Sequence, residues 1–168
     1  MNRYTVAVLV RNQFGVLNRV TSMFRRRQFN ISALTVSETE SNDYSRITVL
    51  FDGDEINKQQ LINQLYKLPD VCSIKELNKT QSVNVELLLI KVKNSAQNRQ
   101  SVFAAATAFE AKTVDYAKDS IMFQLTADAS RIDNFIDLMR EFEILEICRT
   151  GVVSLERGNE TIRKVTNY

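Results

Sequence analysis

The segment Arg3-Tyr4-Thr5-Val6-Ala7-Val8-Leu9-Val10, followed directly by Arg11-Asn12-Gln13-Phe14-Gly15-Val16-Leu17-Asn18-Arg19, decides the fold. Tyr4, Val6, Val8 and Val10 stand at every second position, which is the period of a strand. From Val16 onward apolar side chains recur at intervals of three and four, which is the period of an amphipathic helix. The segment therefore predicts a strand over 3–10 that passes through a short loop into a helix ending near Arg27.

The loop between this strand and this helix is a candidate ligand site. The first N–H groups of a helix lack partners within the helix, and its dipole is positive there, so this position suits a carboxylate. Val16 and Leu17 lie directly behind and suit an apolar side chain on the ligand. The amides of Asn12 and Asn30 can accept from an α-ammonium and donate to a carboxylate. The sequence therefore predicts an amino-acid sensor rather than a catalyst.

A purely structural explanation of the same residues stays open at this point. Gly15 can serve only to make a tight turn before the helix. Asn12 and Asn30 can serve only to bond nearby backbone groups. Since a strand followed by Asn-x-x-Gly and a helix is a common pattern, spacing by itself does not decide between the two interpretations.

Three more strands and one more helix complete a first copy of the pattern. Runs rich in β-forming residues cover 31–36, 45–51 and 71–77, and a helix over 55–67 has its leucines on one face. Asp54 is the predicted cap of this helix, and Pro69 ends it. The order is therefore strand, helix, two strands, helix and strand.

The same order restarts after the polar stretch 78–82. The predicted elements are strands over 83–92, 112–117, 121–126 and 144–155 and helices over 98–109 and 130–142. Ser130 and Asp133 resemble a capping box at the start of the last helix. The predicted fold class is α+β, with two ferredoxin-like βαββαβ domains in tandem over 1–78 and 83–156. A polar tail over 157–168 follows and is expected to be frayed.

Each copy predicts a four-stranded antiparallel sheet with both helices on one face. So small a module leaves sheet edges and the other face in need of a partner. We therefore expect a dimer that continues or stacks the sheets.

The composition excludes several classes of protein. The 168 residues contain 22 basic and 20 acidic side chains, and the net charge of +2 is too mild to indicate nucleic-acid binding. The absence of histidine excludes Ser-His-Asp and Cys-His nucleophile pairs and His-bound zinc. No apolar run is long enough to span a membrane, and no leader precedes the first strand, so we expect a cytoplasmic protein. Cys72 and Cys148 lie in apolar strand patterns and are predicted to be buried, reduced thiols.

Several runs of residues resemble a known family. In the first copy they are Asn12-Gln13-Phe14-Gly15-Val16-Leu17-Asn18-Arg19, Phe24-Arg25-Arg26-Arg27-Gln28-Phe29-Asn30-Ile31 and Ser45-Arg46-Ile47-Thr48-Val49. In the second copy they are Glu86-Leu87-Leu88-Leu89-Ile90-Lys91-Val92 and Arg149-Thr150-Gly151-Val152-Val153. In this order they resemble the small regulatory subunit of acetolactate (acetohydroxyacid) synthase, whose N-terminal part is an ACT domain. The likeness extends over nearly the whole chain.

The resemblance implies a regulatory subunit without catalysis of its own and without a cofactor or metal of its own. Such a subunit would bind the large catalytic subunit, which carries thiamine diphosphate, FAD and Mg²⁺, and raise its activity. A branched-chain amino acid, valine foremost, would bind between two ACT domains of a homodimer and reverse that activation. The positions that bind this effector in the family correspond to Asn12, Gly15, Val16, Leu17, Asn30 and Ile31. In the family, the glycine lets the backbone approach the carboxylate and the second asparagine reaches across the dimer.

Proteins of other classes share the predicted fold. The alternative within the ACT family is a stand-alone amino-acid sensor that acts on another enzyme or on transcription. An RNA or DNA reader would stack bases on aromatic residues of its central strands. Over 6–10, 45–51, 83–92 and 121–126, only Tyr44, Phe51 and Phe123 lie in or beside a strand. A small acyl-phosphate hydrolase would need a positioned arginine; Arg11 and Arg19 flank the loop, but the glycine spacing does not fit.

Overall fold

A computed structural model describes residues 2–164 and contains the pattern twice. The first copy consists of β1 (Asn2–Arg11), α1 (Val16–Arg26), β2 (Ile31–Glu38), β3 (Tyr44–Gly53), α2 (Glu55–Leu65) and β4 (Val71–Glu76). The second consists of β5 (Ser82–Lys93), α3 (Arg99–Ala108), β6 (Lys112–Tyr116), β7 (Ser120–Ala127), α4 (Ala129–Met139) and β8 (Ile144–Arg149). A short strand, β9 (Val153–Glu156), and a 3₁₀ helix (Ile162–Lys164) follow. The predicted α+β class with two βαββαβ units is confirmed.

The strands form two antiparallel sheets. The order in the first is β2-β3-β1-β4, so β1 and β3 are central and β2 lies at an edge. The order in the second is β6-β7-β5-β8, and β9 also pairs with β5. Each order is that of the split βαβ plan.

The core of the first copy lies between its sheet and its two helices. Alternation along β1 directs Val6, Val8 and Val10 toward the helices. The buried residues that α1 and α2 add are Val16, Val20, Met23, Phe24, Leu61 and Leu65. An equivalent core in the second copy contains Leu88, Ile90, Val92, Phe123, Ile132 and Phe135. The alternation in β1 and the stripe of α1 therefore predict which residues form the core of the first copy.

The helix starts differ in how they are capped. Asp54 caps α2 as predicted, because its Oδ1 accepts from the Asn57 N–H at 2.7 Å. The predicted capping box at Ser130 is wrong. The cap of α4 is Asp128, whose Oδ1 accepts from the Arg131 N–H at 3.1 Å, and Ser130 lies inside the helix. An aspartate two residues earlier provided the better-placed acceptor.

The predicted strand over 144–155 is broken into β8 and β9. Between them lies Gly151, whose φ of +76° belongs to the left-handed region and turns the chain. The chain divides into two compact units. The first comprises residues 2–84 and 152–164, and the second comprises residues 85–151. Residues 152–156, which the predicted second domain includes, therefore lie with the first unit.

The two cysteines form no disulfide, but they are not the buried pair expected from the sequence. Cys72 is half-buried, and Cys148 is exposed. Cys148 pairs with Leu89 on the face of the second sheet that points away from the helices, which is why the apolar strand pattern did not bury it.

Candidate functional site

The loop between β1 and α1 has the geometry of an anion-binding helix start. Gly15, the residue before α1, has φ +82° and ψ −4°, a conformation that favours glycine. Among the residues that the structure describes, no side chain caps the first turn. The N–H groups of Leu17 and Asn18 in that turn have no carbonyl to bond within the helix. The loop therefore offers backbone donors at the positive end of the helix dipole, which suits a carboxylate.

Asn12 is held by the turn that joins β2 to β3. Its backbone N–H donates to the Asp43 carbonyl at 2.8 Å. Its side-chain Nδ2 donates to the Asn42 carbonyl at 3.0 Å and to Glu38 Oε1 at 3.4 Å. The amide donors are thus used inside the chain, and Oδ1 is the atom that Asn12 can turn toward a ligand. In this form the side chain can accept from an α-ammonium but does not donate to a carboxylate.

The two apolar residues after Gly15 point in different directions. Val16 is buried in the core of the first copy, and its N–H donates to the Gln13 carbonyl at 3.3 Å. Leu17 is 44% exposed and lies on the outer side of the helix start. Phe14, at the tip of the loop, is fully exposed. Leu17 is therefore the predicted site residue whose side chain can contact a ligand from this loop.

Asn30 and Ile31 lie at the other end of the same sheet. Arg11, at the end of β1, pairs with Tyr44, whereas Ile31, at the start of β2, pairs with Phe51. Seven residues of β3 separate these two levels, which at about 3.3 Å per residue is roughly 23 Å. Asn30 is exposed, and Ile31 is half-buried against the core. Within one chain, the six predicted residues therefore form two separate groups.

The C-terminal strap, which we define as residues 152–163, is a feature that the sequence pattern does not predict. Carbonyls of the strap accept from Thr35 on β2 (Val152 O, 3.4 Å), Arg46 on β3 (Ser154 O, 2.8 Å) and Ser73 on β4 (Ile162 O, 2.7 Å). These three side chains lie on the face of the first sheet that points away from the helices. Burial lowers the pKa of Arg46, although Glu156 of the strap opposes that shift. The predicted polar tail is thus bonded to the sheet through residue 163, and 165–168 lie outside the described residues.

Within residues 2–164, no group of three or more Cys, Asp or Glu side chains is arranged to hold a metal ion. Every helix in the same range is too short or too polar to pass through a bilayer.

Comparison with known proteins connects this geometry to a family. A family model described as an AHAS small subunit-like ACT domain matches residues 6–73, and one described as the small subunit of acetolactate synthase matches 85–158. The chain is 42% identical over 158 residues to a protein of Archaeoglobus fulgidus named "Probable acetolactate synthase small subunit", covering 94% of this chain and 99% of that protein. It is 38% identical to the acetolactate synthase small subunit of Mycobacterium leprae, covering 96% of each. The chain belongs to the acetolactate synthase small subunit family.

The solved structure of a family member agrees in fold over the full length. The crystal structure of the acetolactate synthase small subunit from Thermotoga maritima matches with a TM-score of 0.89 at 32% identity, covering 95% of this chain and 100% of that one. The six predicted site residues all fall in the range that the ACT domain model matches. Membership of the acetolactate synthase small subunit family and the ACT domain together support a regulatory role.

Proposed function

We propose that this chain is the regulatory subunit of a cytoplasmic acetolactate synthase. It binds the large catalytic subunit and raises that subunit's activity, and valine or another branched-chain amino acid reverses the activation. The chain does no chemistry itself; thiamine diphosphate, FAD and Mg²⁺ belong to the large subunit. Family membership supports the partnership, because a small subunit implies a large one.

The observation that carries the effector site is the uncapped start of α1 behind Gly15. An amino acid would place its carboxylate on the N–H groups of this first turn, its ammonium near Asn12 Oδ1 and its side chain toward Leu17. One such helix-start contact is worth only about 0.3–1 kcal/mol when it is exposed to water. Useful affinity therefore requires that a second surface close over the ligand.

A second copy of the chain can supply that surface. β2 is an edge strand of eight residues, so two copies can pair their β2 strands antiparallel and continue the sheet. Pairing about the middle of β2 sets Ile31 of one copy against the partner's Glu38. Because Glu38 lies 3.4 Å from Asn12 Nδ2, the partner's Asn30 and the partner's Ile31 then come to the loop. The separation of the two groups within one chain supports a site built between two copies.

The size of this site would select among amino acids. Leu17 and the partner's Ile31 would form an apolar wall for the ligand side chain. One methylene group in such a pocket is worth about 1–3 kcal/mol. Branched-chain amino acids would thereby be preferred over alanine.

An activity assay tests whether this chain acts on the large catalytic subunit. Acetolactate formation by the cognate large subunit is measured with and without the full chain, and valine is then titrated. Stimulation that valine reverses supports both the partner and the effector. No stimulation would contradict the proposal and favour a sensor with another client, whereas stimulation without a valine response would contradict the effector site alone.

A substitution at Gly15 tests the effector site directly. Gly15→Asp puts a negative side chain where the ligand carboxylate binds, and we expect it to abolish the valine response while activation is retained. The φ of +82° adds backbone strain of about 1 kcal/mol for any residue with a Cβ. Gln13→Asp is the matched control, because it adds the same charge to the same exposed loop without the ligand contact. Normal valine inhibition of the Gly15→Asp holoenzyme would show that the site is elsewhere.

A further inference from the structure

The C-terminal strap is fixed to the first sheet by charge as well as by backbone bonds. Lys75 Nζ on β4 lies 2.6 Å from Glu156 Oε2 and 3.1 Å from Glu160 Oε2. The side chains of Lys75 and Glu156 are only 19% and 14% exposed. These contacts fix the middle of the strap over β4 and lead its end back across the sheet.

The strap ends on the turn between β2 and β3. Arg163 Nη2 lies 3.0 Å from Glu40 Oε1, and the Arg163 guanidinium carbon lies 5.6 Å from the centre of the Tyr44 ring. Glu40 and Tyr44 flank the turn on its two sides. An arginine over an aromatic face and beside a carboxylate is restrained by two independent attractions.

The same turn carries the acceptors that hold Asn12. The carbonyls of Asn42 and Asp43 accept from the side chain and the backbone of Asn12 at 3.0 and 2.8 Å. Internal bonds make the turn one unit, since Thr39 Oγ1 donates to the Ser41 carbonyl at 3.0 Å. Arg163 and Asn12 therefore contact one ordered turn, the first at its flanks and the second at its tip.

We propose that Arg163 is a positioning residue for the loop that binds the effector, acting through the β2–β3 turn on Asn12. This inference rests on the proposed function, because it assigns the strap a role in effector binding. A shift of the turn displaces the two carbonyls that orient Asn12, and with them the end of β1 that leads to Gly15. The effector response of the chain then depends on residues near its C-terminus that never touch the ligand.

A charge reversal and its rescue test this coupling in the full chain. Arg163→Glu sets two carboxylates against each other at the turn, and we expect it to weaken L-valine binding by about five- to tenfold, as exposed ion and cation–π pairs are individually modest. The double variant Arg163→Glu with Glu40→Arg reverses the pair, and Arg163→Lys keeps the charge, so both should recover most of the affinity. Arg157→Glu is the matched control, because it makes the same charge change on the same strap at a residue bonded to Gln81.

Two measurements separate this inference from the proposed function. Amide hydrogen exchange in the ligand-free chain reports whether the Asn12 N–H, bonded to Asp43, opens more often in Arg163→Glu. Calorimetry with L-valine reports the binding itself. Faster exchange and weaker binding, both rescued by the reversed pair, support the inference.

Different results would contradict the role of Arg163 and the proposed effector. Unchanged exchange at Asn12 in Arg163→Glu overturns the inference, and so does an equal effect of Arg157→Glu or a failure of the reversed pair to rescue. If exchange changes and is rescued but the unaltered chain binds no valine, the proposed effector is wrong while Arg163 still positions the loop. An unchanged melting temperature in each variant shows that the differences are not global unfolding.

Discussion

The two sheets share one plan but differ on the face that points away from their helices. Leu9 on β1 and Lys91 on β5 are equivalent, because each immediately precedes the register shift in the pairing with the last strand of its copy. Leu9 is 5% exposed, whereas Lys91 is half-exposed and lies 3.6 Å from Glu146 on the neighbouring strand. One position thus carries a buried apolar side chain in the first copy and a solvated ion pair in the second.

The neighbours of these two residues explain the difference. Leu9 lies between Arg46 and Ser73, which are two of the three side chains that bond carbonyls of the strap. Lys91 lies between Met122 and Glu146. A βαββαβ unit always leaves one sheet face without helices, and the chemistry of that face follows from whether other parts of the chain lie over it. In the first copy, residues 152–163 of the chain provide that cover.

Exchanging the two side chains is expected to give the largest difference in stability between the two sheets. Leu9→Lys places an ammonium on the covered face beside Arg46, and we expect it to lower the free energy of unfolding by about 3 kcal/mol or more. Lys91→Leu removes one partner of a solvated ion pair and should change the free energy of unfolding by less than about 0.5 kcal/mol. Urea denaturation of the full chain, followed by circular dichroism, measures both. Equal costs for the two variants would mean that the faces do not differ in solvation.

Removing the charge that binds the strap is expected to have an intermediate effect. Lys75→Met leaves the largely buried Glu156 without its partner and should cost about 1–3 kcal/mol. The hydrogen bond with Glu156 raises the pKa of Lys75. The ion pair of Lys75 and Glu156 therefore contributes fully to the free energy of unfolding at neutral pH. This contribution is lost only as the pH rises through the raised pKa of Lys75.

The matched variant in the second copy is Lys91→Met. Its partner Glu146 is 73% exposed, so the loss should stay below about 0.5 kcal/mol. Denaturation midpoints at pH 7 in low and high salt measure the difference, because salt screens the exposed pair more than the buried one. A Lys75→Met variant as stable as Lys91→Met would contradict a strap held by a buried charge pair.

Much of the fold follows from the periodicity of apolar residues and from the residues that begin or end helices and strands. The alternation in β1, the stripe of α1 and the Pro69 stop each reflect a local rule, so the elements could be assigned without knowing their neighbours. The strap could not be assigned in this way. Its bonds run from main-chain carbonyls and isolated charges such as Glu156 to side chains far away in sequence, and neither leaves a periodic signal.

The candidate site was predictable in its parts but not in its arrangement. The loop at Gly15 was identified from local sequence, because a left-handed residue before an uncapped helix is a local feature. The use of the Asn12 amide by the β2–β3 turn depends on packing that the spacing does not reveal. The distance between Asn12 and Asn30 depends on strand register, which only the folded sheet defines.

At the helix caps, in contrast to the sheet faces, the two copies are expected to behave alike. Asp54 and Asp128 each accept from the N–H three residues on, at 2.7 and 3.1 Å. Replacing either aspartate by alanine should lower the free energy of unfolding by about 1 kcal/mol. Ser130→Ala is the control within α4, and since Ser130 lies inside the helix it should cost less than about 0.5 kcal/mol. Thermal and urea unfolding of the three variants give the values. A Ser130→Ala cost as large as that of Asp128→Ala would assign the cap to the serine instead. Unequal costs at Asp54 and Asp128 would mean that the copies differ in more than the cover of one sheet face.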